Sequence, residues 1–119
     1  VATLQGAYGG LGTGVNVSSP LLPEGPLAVL NVIVFDGQGR LSVPVETMSF
    51  GGDVRRLTTP VAATYAVAPD CTGSLNFEAP NVFDLVIVDG GAEVLAIHAT
   101  PGFVHTLVLK RQAPRSERS

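Results

Sequence analysis

Two histidines, His98 and His105, flank a Thr-Pro-Gly-Phe segment near the end of the chain. A Pro-Gly pair between two runs of apolar residues is typical of a hairpin turn. If Pro101 and Gly102 form that turn, the histidines face one another, because cross-strand neighbours have Cβ atoms about 4.5–5.5 Å apart. Two such imidazoles could act as an acid/base pair, since histidine changes its charge near neutral pH. The alternative is two partly buried histidines that hydrogen-bond to backbone and water without a chemical role.

A metal site is not predicted at the histidine pair. A catalytic zinc normally has three protein ligands. The third would have to be Glu46 or Glu78, and nothing in the sequence places either one beside the histidines. The single cysteine, Cys71, allows neither an internal disulfide nor a cysteine cluster. The glycine-rich residues 9–14 are not followed by lysine, so they do not match a phosphate-binding loop. The sequence therefore predicts no metal and no other cofactor.

Glu46 is the third residue that could take part in catalysis. It lies in an otherwise uncharged segment, residues 43–50, and shares strand parity with Met48 and Phe50. Facing the interior, its carboxyl would lose solvation, and its pKa would rise into the range of a general acid. The alternative places Glu46 outside, or against an arginine after the next turn, because the opposite face of the strand is the more apolar. That opposite face is made up of Leu41, Val43 and Val45.

The elements that would position these residues are strands. Helical periodicity is almost absent, and short β-branched runs are bounded by Gly, Asp and Pro, with 14 glycines and 9 prolines in 119 residues. We predict an all-β fold, a single antiparallel up-and-down β-barrel of roughly 8–10 strands, with a β-sandwich as the alternative. A first strand is predicted over residues 3–8, followed by a glycine-rich interruption through residue 14 and a short run at 15–18. Pro44 marks a bulge or an edge position. Residues 1–112 form the barrel domain, and residues 113–119 form a flexible polar tail.

The C-terminal hairpins allow a register to be predicted. The Pro101-Gly102 turn pairs Glu93 with Lys110. The preceding Asp-Gly-Gly turn keeps the same parity. One face then points inward and carries Phe83, Leu85, Ile87, Val94, Ala96, His98, Phe103, His105, Leu107 and Leu109.

Charge and hydropathy exclude several classes of function. Four of the seven basic residues lie in the last ten positions, so the remainder of the chain is acidic. An acidic body without a basic patch is not expected to bind nucleic acid. No apolar run reaches the roughly 18 residues of a membrane span. The sequence begins with Val rather than Met, which fits either a trimmed chain or a form that has lost a signal peptide.

The turn signatures carry a resemblance that spans most of the chain. They are Leu4-x-Gly6-x-Tyr8, Phe35-Asp36-Gly37-x-Gly39, Tyr65-x-Val67-x-x-Asp70-Cys71-Thr72-Gly73-x-Leu75 and Val88-Asp89-Gly90-Gly91. The pattern resembles small bacterial β-domain proteins, many of them exported. That resemblance implies a secreted or periplasmic location, with a cytoplasmic one as the alternative. In architecture the chain is similar to lipocalin-like and allene-oxide-cyclase-like barrels. This similarity is at the level of the fold and transfers no catalytic residue.

Three functions are compatible with these features. The leading hypothesis is a binding module that holds a small hydrophobic ligand in the barrel lumen or mouth, against Phe83, Leu85, Phe103 and Tyr65. The second is a cofactor-free cyclase or isomerase that uses His98, His105 and Glu46 as acid/base groups. The third is a structural β-module that forms a homo-oligomer by pairing an edge strand between chains.

Overall fold

The computed structural model describes residues 4–20, 22–77 and 81–113. Within them the chain forms nine strands and one short 3₁₀ turn, Asp89–Gly91. The strands are β1 (Gln5–Asn16), β2 (Gly25–Asp36), β3 (Arg40–Phe50), β4 (Asp53–Arg56), β5 (Val61–Val67), β6 (Thr72–Asn76), β7 (Val82–Val88), β8 (Glu93–His98) and β9 (Phe103–Arg111).

Eight of these strands close into an antiparallel barrel. Strands β5 to β8 each pair with the next strand along the chain, β9 pairs with β1, and β1 pairs with β2. Strand β3 completes the ring by pairing with both β2 and β5, while β4 folds back as a short arm on the second half of β3. The predicted up-and-down barrel is therefore confirmed. The sheet closes on itself, so the sandwich alternative is wrong.

The register predicted for the last hairpin is confirmed. Glu93 pairs with Lys110, and the pairing continues without a shift to Ile97 and Thr106, next to the turn. Gly102 has the positive φ that a Pro-Gly turn requires, 95°. On β7 and β8 the predicted parity also holds, because Phe83 pairs with His98. The predicted inward face is buried throughout these three strands.

The predicted interruption of the first strand at residues 9–14 is wrong. β1 runs unbroken through the glycines and pairs with both β2 and β9. Gly10, Gly12 and Gly14, called here the glycine row, lie on its inward face. A Cβ at Gly12 would lie 2.4 Å from the carbonyl oxygen of Thr106, so the strand needs glycine where its neighbour approaches. The glycines thus permit close approach within a strand, not a turn.

A bulge in β3 decides which of its faces points inward. Val34 pairs with Ser42 but Val32 pairs with Val45, so β3 has one extra residue at Val43-Pro44. The bulge predicted at Pro44 is confirmed. Because the parity changes there, Leu41 and Val43 point inward before the bulge, whereas Glu46, Met48 and Phe50 do so after it. Val45, expected in the core, is 57% exposed.

The barrel interior is filled unevenly. One end, called here the closed end, is packed by Tyr8, Phe35 and Tyr65, whose rings meet edge to face at centroid distances of 5.3 and 4.9 Å. The Tyr65 hydroxyl donates a hydrogen bond to the backbone oxygen of Leu4 at 2.6 Å. The opposite end has a smaller apolar cluster of Leu27, Phe50 and Phe103. The last described strand ends at Arg111, and most of the tail predicted at 113–119 lies outside the described residues.

Candidate functional site

A cavity of about 510 Å³ occupies the barrel between the closed end and the opposite rim. Three of its lining residues, Leu22, Val61 and Ala62, are exposed, so the cavity reaches solvent. Its volume falls in the range of small-molecule sites, about 300–1,000 Å³. The other lining residues are Leu27, Val29, Asn31, Val43, Glu46, Met48, Phe50, Phe77, Asn81, Phe83, His98, Phe103, His105 and Leu107.

The two histidines meet inside this cavity. His98 ends β8 and His105 is the third residue of β9, and their ring centroids are 5.7 Å apart. Phe83 lies 4.4 Å from the ring of His98 and 5.4 Å from that of His105. Phe103 lies 4.4 Å from the other side of His98. The predicted juxtaposition is therefore present, and it is enclosed by aromatic rings.

Asn81 fixes the tautomer of His98. The Nε2 atom of His98 lies 2.5 Å from the Asn81 Oδ1 atom. A carbonyl oxygen only accepts hydrogen bonds, so Nε2 carries the proton. Burial lowers the pKa of His98, which keeps the ring neutral at pH 7. Its Nδ1 atom is then an unprotonated acceptor, and it is buried without a hydrogen-bond partner.

His105 is held neutral more strongly than His98. Burial, and secondarily the charge of His98, lowers the pKa of His105 to about 4. Its Nε2 atom is buried and has no partner. This atom lies under the glycine row, 3.0 Å from where a Cβ of Gly12 would stand. Glycine at this position therefore makes room for the imidazole.

Glu46 points into the cavity from β3, opposite Asn31 on β2. The Asn31 Nδ2 atom donates a hydrogen bond to Glu46 Oε2 at 3.2 Å. Burial raises the pKa of Glu46, and the hydrogen bond from Asn31 partly offsets that rise. The expected alternative, an outward Glu46 or an arginine pair, is wrong: Arg55 pairs instead with Asp53, at 3.1 Å. The remaining Asn31 oxygen, Oδ1, is buried without a partner.

The predicted ligand-contacting residues separate into two groups. Phe83 and Phe103 line the cavity. Leu85 is packed in the main core cluster, and Tyr65 belongs to the closed end, so neither lines the cavity. Sequence reasoning missed Asn31, although a signal was present. It is the one polar residue of the apolar segment 27–35, and it shares the inward parity of Ile33.

Other classes of site find no support in the described part of the chain. Residues 4–20, 22–77 and 81–113 hold no group of three side chains suited to bind a metal ion. Glu78, considered as a third ligand, lies outside the described residues. The same ranges contain no helix with the length and apolar character needed to cross a bilayer.

The homo-oligomer hypothesis needs an edge strand, and β4 provides one. Among the described residues β4 pairs with β3 alone. It is four residues long, fully exposed, and carries Asp53, Arg55 and Arg56. Short, charged edge strands resist pairing with another chain. Self-association through an edge strand therefore stays a prediction, for which light scattering is the test.

Fold and site together define a small closed antiparallel β-barrel with an internal cavity open at one end. Comparison of the chain with protein-family models, with curated proteins and with solved structures found no match. The cavity is therefore the feature of this chain that indicates a function.

Proposed function

We propose that this barrel binds a small, mostly apolar molecule in its cavity. One observation carries the proposal: Asn31, His98 and His105 line a mostly apolar cavity, and each has one side-chain nitrogen or oxygen atom that is buried without a hydrogen-bond partner. Leaving a buried polar atom unpaired costs about 1–3 kcal/mol. A ligand that meets one or two of these atoms would recover part of that cost, and its apolar body would contact the surrounding aromatic rings.

The shape of the interior supports the same function. A barrel that needed only to be stable would be packed along its whole length, as it is at the closed end. Instead the other half keeps about 510 Å³ of space and an opening lined by exposed apolar side chains. The glycine row leaves room for the inward side chains of Asn31 and His105, whose Oδ1 and Nε2 atoms lie 2.2 and 3.0 Å from where the Cβ atoms of Gly10 and Gly12 would stand.

Two valines of the same strand provide the test. Val29 lines the cavity, whereas Val34 has the opposite parity on β2 and faces outward. The uncharged fluorescent probe N-phenyl-1-naphthylamine should bind the wild type with enhanced emission. Val29→Phe adds a ring inside the cavity and should weaken binding at least about tenfold, while Val34→Phe should not. Equal binding by all three proteins, or none by the wild type, would refute the proposal.

A cofactor-free cyclase or isomerase is the second candidate. The observation that favours it is the coexistence of an acceptor nitrogen on His98 and a carboxyl of raised pKa on Glu46 in one apolar cavity. A base and an acid so placed could move a proton on a bound substrate. Turnover of an unsaturated epoxide should then be lost in His98→Ala and in His105→Ala with folding retained. Full activity in both variants would remove the histidines from the mechanism.

A further inference from the structure

We propose that the cavity selects a small apolar amine, bound as its ammonium ion with the nitrogen against Glu46 and Asn31. This inference rests on the proposed binding function and names the class of ligand. It follows from which hydrogen-bonding atoms of the lining residues lack a partner, from the charge of the cavity and from its aromatic walls.

The polar atoms that lack a full set of hydrogen-bond partners and have an assigned role are acceptors. Asn31 Oδ1 accepts only, and His98 Nδ1 is an acceptor because Nε2 carries the proton. Glu46 accepts one hydrogen bond from Asn31 and has further lone pairs. A ligand that satisfies these atoms must bring donors, and an ammonium group carries three.

Two of these acceptors already lie side by side. Asn31 and Glu46 are cross-strand partners whose side chains are joined by the hydrogen bond from Nδ2 to Oε2. The unpartnered Oδ1 is on the same amide as Nδ2, so it lies within a few ångströms of the carboxyl group. One ammonium nitrogen could therefore contact both side chains.

Charge disfavours an anion at the same place. Among the residues that the structure describes, those that line the cavity include Glu46 but neither lysine nor arginine. The guanidinium of Arg55 stands over the ring of Phe50, a lining residue, at 5.2 Å and is already paired with Asp53. The two histidines are neutral at pH 7, because burial lowers the pKa of each. A carboxylate ligand would therefore bring a second negative charge without a partner.

The walls also suit a cation with an apolar body. Phe50, Phe77, Phe83 and Phe103 line the cavity. Aromatic faces attract an ammonium group through the ring quadrupole, and they contact an alkyl or aryl body equally well.

The same ion pair forms whether the free amine is protonated or neutral. A protonated amine meets the carboxylate directly, and a neutral amine takes the proton from the carboxyl group, so both routes end in the same ion pair.

The experiment compares three ligands of equal length at pH 7.5: octylamine, octan-1-ol and sodium octanoate, each displacing N-phenyl-1-naphthylamine. Octylamine should displace the probe at a concentration at least about tenfold lower than octan-1-ol, and octanoate should be the weakest. Octanoate equal to or better than octylamine would overturn the inference. Equal displacement of the probe by octan-1-ol and octylamine would overturn it as well. In both cases the proposed binding function would stand. If the probe does not bind at all, the proposed binding function and the preference for an amine are both refuted.

Variants locate the preference in the cavity. Glu46→Gln should bring octylamine and octan-1-ol within about threefold of each other, because it weakens the binding of octylamine. Asp84→Asn is the matched control, because it removes the same charge from an exposed position on the outer face of β7. It should keep the full preference for the amine. If Asp84→Asn abolishes the preference as well, the net charge of the protein explains it and the assignment to Glu46 is wrong. The ligand series alone decides the matter if Glu46→Gln does not fold.

Discussion

The buried imidazole of His105 should make the stability of the barrel depend on pH. The pKa of His105 in the folded chain is about 4, mainly because of burial, against an ordinary value of 6.5. Between these two values the unfolded chain binds a proton at this position and the folded chain does not. Stability from His105 is therefore fully present above pH 6.5 and is lost as the pH falls toward 4.

The size of the effect follows from the two pKa values. Each pH unit of difference is worth about 1.4 kcal/mol, so the interval from 6.5 to about 4 corresponds to roughly 3 kcal/mol when both states are protonated. At pH 5 the loss is about 2 kcal/mol, because the folded chain is still mostly neutral there. His98 acts in the same direction, since burial lowers its pKa too. Glu46 acts in the opposite direction, since its raised pKa favours the folded state as the pH falls.

Urea denaturation at pH 7.5 and at pH 5.0 measures this loss, and His105→Gln isolates it from the other groups. The wild type should lose about 2 kcal/mol more of its unfolding free energy over this interval than His105→Gln, whose side chain does not titrate. NMR titration of the ring should place its pKa well below 6. A ring that titrates near 6.5, or equal losses in both proteins, would show that His105 is solvated and that the cavity does not enclose it as described.

Two further substitutions test the packing that shapes the cavity. Gly12→Ala should destabilise the barrel by roughly 1–3 kcal/mol, because its Cβ would meet a backbone oxygen. The control is Gly9→Ala on the same strand, whose Cβ meets nothing within 4 Å and which should cost far less. Equal thermal shifts in the two variants would argue against the close approach of β1 to β9. Tyr65→Phe removes a hydroxyl that donates a hydrogen bond to a buried carbonyl at the closed end. It should lower the unfolding free energy by about 1 kcal/mol in urea denaturation and leave probe binding unchanged. Weaker probe binding would mean that the cavity extends to the closed end.

The fold could be predicted because its turns are local signals. The two-residue turn Pro101-Gly102 determines which residues of β8 and β9 face each other. The antiparallel pairing then extends this register to Glu93 and Lys110. The alternation of side chains in a strand then assigns each neighbour to one face. For the C-terminal strands this was enough to place His98 and His105 together on the inside.

Strand β1 could not be predicted in the same way. Glycine is favoured both where a turn needs positive φ and where a neighbouring backbone comes close, and the sequence of residues 9–14 does not distinguish the two. The distinction lies in β9, about 95 residues further along the chain, whose backbone stands where the Cβ of Gly12 or Gly14 would be. Only the closure of the barrel reveals that contact.

The cavity depends on the positions where local strand rules are broken. The bulge at Val43-Pro44 changes the parity of β3, and without it Glu46 would face solvent. The glycine row leaves β1 without side chains at three successive inward positions, and Asn31 puts an amide on an inward position of an apolar strand. Each feature weakens a strand taken alone. Together they place a carboxyl group, an amide and two neutral imidazoles around one open space. Such a coincidence of unfavourable local choices is expected where selection acts on a site rather than on stability.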